Sequence, residues 1–154
     1  MAHQSDSAIQ REAQELVSKR IEERVGKKLS EQTIHLDGGA SVRVDGVDVD
    51  ESVLVEIFAH HGPLKGGQKH KVATDALKLI TLGRSRPDAE LILAFADEEA
   101  AAFATKGTWM AEALAAWKVK VYVVELEGSA SDGIRAAQAR QEMINPEAPA
   151  SPET

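Results

Sequence analysis

The feature that most constrains the fold is an alternation in the last two thirds of the chain. Short runs of β-branched and apolar residues at Val53–Ala59, Asp88–Ala96 and Val119–Leu126 are separated by stretches of helical periodicity. Between the first two runs, Gln68–Leu82 repeats apolar residues at Val72, Ala73, Ala76, Leu77, Leu79 and Ile80. Between the second and third, Asp97 caps an alanine-rich helical region that continues through Trp117, with Gly107 dividing it in two. Strand-helix-strand units of this kind build a sheet covered by helices.

The segment ahead of these units adds a helix and a hairpin. Ile9, Ala13, Leu16, Val17, Ile21 and Val25 recur at helical spacing, with Asp6 or Ser7 as a cap and Gly26 as a stop. Thr33–Asp37 and Ser41–Val49 read as strands on either side of a Gly38-Gly39 turn. After the last strand, Ser131 caps a helix that reaches about Met143. The expected architecture is α/β: a mixed central sheet flanked by helices, in the order helix, three strands, helix, strand, helix, strand, helix. Residues 1–8 read as a flexible N-terminus, 9–144 as a single domain and 145–154, rich in Pro, Ala and Glu, as a disordered tail.

Composition narrows the chemistry. With 154 residues the chain has the length of one domain, and with no cysteine it has no disulfide, thiolate nucleophile or cysteine-ligated metal. A reducing cytoplasm is the expected setting, since no signal peptide and no run of membrane-spanning length is present. The net charge of -7 speaks against a general nucleic-acid binder but not against an enzyme that acts on nucleic acid.

Glu56 is the most informative residue. A carboxylate inside VLVEIFA must be paired, protonated or bound to a metal if the strand is as buried as its neighbours suggest. A sheet-edge position or a structural ion pair is the bland alternative. Asp45, in VRVDGVD on the preceding strand, is placed to converge with Glu56, and two such carboxylates suit a hard ion such as magnesium or manganese. Taken alone, Asp45 reads as a turn or bulge residue, and Asp48 and Asp50 compete for a metal role. On the following helix, Lys69 aligns with Ala73, Ala76 and Ile80 on the core side, whereas Lys71, Asp75 and Lys78 fall on the opposite face. Gln68 lies at the edge of the stripe. First-turn snorkelling is the ordinary explanation for Lys69.

With these residues in place, the chain resembles the PD-(D/E)XK nuclease superfamily, of restriction-endonuclease-like fold, over roughly residues 9–144. Asp45 looks like the family's first acid and Glu56 like its second. The resemblance implies a nuclease that hydrolyses phosphodiester bonds, with Asp45 and Glu56 holding Mg2+ or Mn2+, on DNA before RNA, and with a second copy of the chain as a candidate partner. It departs at Phe58, which stands two residues after Glu56 where the family carries lysine. Some branches move that lysine to the next helix, where Lys69 stands, and some place a glutamine there, which Gln68 resembles. The family's helix glutamate corresponds to Glu12, with Glu15 pointing further toward solvent.

Other motifs carry less. Adjacent His60 and His61 point to opposite sides of a strand end and make a poor zinc site, and no phosphate-loop pattern is present. Trp109 and Trp117 suggest core or interface packing, and Asp97-Glu98-Glu99 helix-start charge. Two further readings stand beside the nuclease. One is an inactive protein of the same fold that binds nucleic acid or a protein partner, and the other an interaction domain whose Asp45 and Glu56 are paired with Arg43 or a lysine.

Overall fold

A computed structural model describes residues 4–126 and 128–144, with side chains from 7 to 126 and from 132 to 140. The elements are α1 (Gln4–Val25), β1 (Ser30–His35), β2 (Ser41–Val47), β3 (Val53–Phe58), α2 (Gly66–Arg84), β4 (Glu90–Phe95), α3 (Glu98–Thr105), α4 (Trp109–Ala116), β5 (Val119–Val123) and α5 (Gly128–Ile144). Five strands form one open mixed sheet in chain order, antiparallel from β1 to β3 and parallel from β3 to β5.

Alternation along β3 divides the core. Leu54 and Phe58 pack under α2, α3 and α4, while Val53, Val55 and Ile57 meet Val17 and Ile21 of α1. All six β3 residues are buried, because helices cover the sheet on both sides. Among the described residues, no helix is long and apolar enough to cross a membrane.

Several expected boundaries shift. Helix α1 begins at Gln4, ahead of Ile9, and α5 starts at Gly128, ahead of Ser131. The expected tail, 145–154, lies outside the described residues. The region after Asp97 is two helices, broken at Gly107 with φ +61°, which makes the order αβββαβααβα. Trp109 and Trp117 are not core residues: both are exposed, and Trp109 meets Phe103 edge-on with ring centroids 6.5 Å apart.

The feature that shapes the site is a β-bulge. Ser30 pairs with Val47 and Gln32 with Val44, so Asp45 and Gly46 together oppose the single residue Glu31. The extra residue lets Val44 and Val47, three apart, both enter the core beneath α2. Glycine suits the crowded second position, where an added Cβ would lie 3.4 Å from Val55 Cβ and 3.5 Å from Leu29 Cβ.

Candidate active site

Strands β2 and β3 part where the two acids begin. Their pairing covers Val47 with Leu54 and Gly46 with Val55 and stops short of Asp45 and Glu56. Beyond that point the Ile57 N–H donates to Asp45 Oδ2 at 2.8 Å, so a side chain takes the donor that a continued ladder would have used. The bulge re-aims Asp45 and ends the pairing, and the acids of two neighbouring strands are thereby brought together.

Glu56 is 3 % exposed on the α2 side of β3. Burial, then the charge of Asp45 and a hydrogen bond shared with it, push its carboxyl up to about 8, against the smaller opposing pull of Lys78. Lys78 Nζ donates to Glu56 Oε1 at 2.9 Å and to the Arg43 carbonyl at 2.8 Å. Asp75, also buried, stands behind: its Oδ1 lies 3.8 Å from Lys78 Nζ and its Oδ2 3.0 Å from Lys71 Nζ.

The lysine at the acids is therefore Lys78, and the flank of α2 that carries Lys71 and Lys78 faces Glu56. Lys69 Nζ instead sits over the Phe103 ring, 5.6 Å from its centroid. The buried arc of α2 is Val72, Asp75, Ala76, Leu79 and Leu82, rolled by roughly 80° from the alanine-centred stripe at 100° per residue. The sequence reading turned Asp75 outward because a carboxylate counts as polar. Its spacing with Leu79 and Leu82 was the signal for the true arc. Gln68 is turned to its own helix start: Oε1 accepts from the Lys65 N–H at 2.8 Å, and Nε2 lies 3.3 Å from His60 Nδ1.

A cleft of about 570 Å³ opens on the other side of Asp45, between α1 and the β1–β2 hairpin. Arg11, Gln14 and Glu15 of α1 line it together with Glu31, Arg43 and Asp45. Glu12 does not line it. It is exposed on the opposite flank of the α1 stripe, and Glu15 is the helix glutamate on the Asp45 side. Leu16 drew the expected stripe toward Glu12, but Leu16 is itself exposed. Arg43 pairs with Glu31, not with Asp45.

The competing acids have other duties. Asp48, buried, accepts from the Ser52 and Val53 N–H groups at 2.7 and 2.8 Å and so fixes the β2–β3 turn, while Asp50 is exposed. His61 is buried, with Nδ1 3.7 Å from Asp97 Oδ1, and Gln138 of α5 both accepts from its N–H and donates to its carbonyl.

Asp45 accepts from the Ile57 N–H, Glu56 accepts from Lys78, and the two carboxyls share a hydrogen bond. Once the proton between them is released, two such oxygen donors could hold a divalent ion of the magnesium or manganese kind. No three His, Asp or Glu side chains among the described residues are placed to hold a metal. A metal at the pair would therefore complete its shell with water, backbone or substrate oxygens, as magnesium commonly does. No protein-family model matches this chain, and neither does any curated protein or solved structure.

Proposed function

We propose that this chain is a metal-dependent nuclease of the PD-(D/E)XK type, with a restriction-endonuclease-like fold, that hydrolyses phosphodiester bonds at the Asp45–Glu56 pair. The observation that carries the reading is Glu56, a carboxyl inside a fully covered strand, raised to about 8 beside Asp45 and met by a lysine ammonium. Perturbed acids are a mark of functional sites, and Asp45 lines the cleft while Glu56 is buried on the α2 side. The helix, three-strand meander, helix and parallel strand also follow the order that the resemblance implies.

Each residue has a definable part. Asp45, fixed by the Ile57 N–H, and Glu56 bind the divalent ion. A bound ion supplies Lewis acidity toward the scissile phosphate and acidifies the attacking water. Lys78 takes the place of the signature lysine: it arrives from α2, holds Glu56 in orientation and adds positive charge where the phosphate becomes more negative. Phe58 cannot do this, since it is buried against Phe95 at 5.8 Å between ring centroids. Glu15 lines the cleft on the far side of Asp45, where it is placed to act through water.

One observation favours the second reading, an inactive protein of this fold: Lys78 is already engaged by Glu56 and the Arg43 carbonyl, as a purely structural lysine would be. Incubation of labelled duplex DNA, single-stranded DNA and RNA with the protein in Mn2+ or Mg2+ separates the two. Cleavage that Asp45→Ala and Glu56→Ala each abolish supports the nuclease. A folded protein that cuts none of these substrates leaves the inactive fold.

A further inference from the structure

Helix α2 presents a charged stripe to the acids, Lys71, Asp75 and Lys78, whose members differ in exposure. The side chain of Asp75 is 7 % exposed, that of Lys78 23 % and that of Lys71 58 %. Asp75 divides its oxygens, Oδ2 to Lys71 and Oδ1 to Lys78. Lys78 turns inward to Glu56 and Lys71 turns out to solvent.

Helix stability does not account for this arrangement. A lysine four residues ahead of an acid is the weaker order of such a pair, and burying a carboxylate in mid-helix works against it. A buried acid between two lysines does fix where both ammonium groups stand.

Resting on the nuclease reading, we infer that Lys71 and Asp75 form a phosphate subsite beside the acid pair. Lys71 touches the substrate phosphate next to the one cut, and Asp75 is the positioning residue that holds it there. Lys71 is near enough to Asp45 and Glu56 to feel both charges. Although burial opposes it, the hydrogen bond and charge of Asp75, with the charges of Asp45 and Glu56, hold Lys71 above its ordinary value and so fully charged. An ammonium of this kind, a strongly hydrated point charge with rotatable donors, suits phosphate oxygens. Arg11 and Arg43 line the cleft on the other side of Asp45. Arg43 is paired there with Glu31, and Glu15 lines the same cleft, so the cation beside the acids with the most solvent exposure on the α2 side is Lys71.

The test is steady-state cleavage of one labelled DNA oligonucleotide in Mn2+ at several salt concentrations, by the parent, Lys71→Ala, Lys71→Arg and Asp75→Asn, each first checked for a cooperative melt. Lys71→Ala is expected to raise KM by roughly tenfold, the size of one charge-assisted contact, and to lower kcat less. The slope of log KM against log salt should become shallower by about 0.9, as for the loss of one phosphate contact, which a merely structural lysine would not change. Lys71→Arg should recover most of the affinity, and Asp75→Asn should raise KM and lower kcat, because both lysines lose their anchor. If the parent cleaves and Lys71→Ala matches it in KM and salt slope, the subsite is wrong and the nuclease reading stands. A folded parent that cleaves none of duplex DNA, single-stranded DNA and RNA in Mn2+ or Mg2+ overturns both. Should Asp75→Asn fail to fold, the two Lys71 variants carry the test, since that side chain is largely in solvent.

Discussion

Lys78 Nζ donates to Glu56 Oε1 at 2.9 Å and so joins the middle of α2 to the centre of a strand that is buried along its whole length. The contact is made at the point where β2 has left β3, with the Arg43 carbonyl as the second acceptor. At neutral pH the carboxyl is largely protonated and the contact is an ammonium–carboxyl hydrogen bond. Above about pH 8 it becomes an ion pair, whose net stability over an apolar pair of the same shape is small because both charges leave water. Its significance lies in orientation: it fixes one carboxyl oxygen of Glu56 and an ammonium beside it.

The raised Glu56 carboxyl makes a prediction of definite sign. Its value in the fold, about 8, lies above its ordinary 4.5, so the protonated form is favoured by folding. The stability it contributes is complete below about pH 4.5 and is lost as pH rises through about 8. The loss is on the order of a few kcal/mol. Chemical denaturation across this window should show the decline in the parent and a flatter profile in Glu56→Gln.

Removing Lys78 should steepen that decline. Lys78 is the group that favours the charged form of Glu56. In Lys78→Met the carboxyl should therefore rise above about 8, and the loss of stability relative to the parent should be larger at pH 9 than at pH 6. Equal losses at the two pH values would show that the pair is not electrostatically coupled.

Asp48 should behave in the opposite sense. Burial alone would push its carboxyl up, but hydrogen bonds from Ser52 and Val53, with Lys27 behind them, hold it below 3.8. Its stabilisation is present above that value and lost as pH falls through the lowered one. Asp48→Ala orphans the turn donors and should cost about 2–3 kcal/mol at neutral pH, while Mn2+ binding by the folded protein stays as in the parent.

A lysine two residues after Glu56, where the nuclease resemblance expects one, should harm the protein. Phe58 shares the buried face of Leu54 and packs on Phe95. Phe58→Lys places an ammonium in that core and should cost about 3 kcal/mol or more, seen as a lower Tm with no gain in cleavage.

How far the sequence foretold this site depends on what each residue's neighbours disclose. Glu56 was legible because VLVEIFA leaves a carboxylate no solvated place, and Asp45 because a strand and turn pattern set it beside Glu56. The helix rolls were not. Asp75 is buried with Lys71 and Lys78 of its own helix as partners, and no periodicity in α2 can tell a paired acid from a solvated one, so the sequence pattern points through Lys69 instead of beside Lys78. On α1, Leu16 misled in the same way, and the polar row of Gln14, Glu15 and Ser18 marks the flank that faces Asp45. The bulge at Asp45-Gly46 depends on the register with β1, a long-range property that composition does not carry.

Calorimetric titration of Mn2+ into the parent, Asp45→Ala and Glu56→Gln at pH 7, repeated in two buffers of different ionisation enthalpy, tests the central claim most directly. The account predicts saturable binding in the parent, a loss of it in both variants, and release of about one proton per ion, because the ion displaces the proton held on Glu56. Binding that persists unchanged in Asp45→Ala and Glu56→Gln, or no binding by the folded parent, would contradict a cation site at this pair.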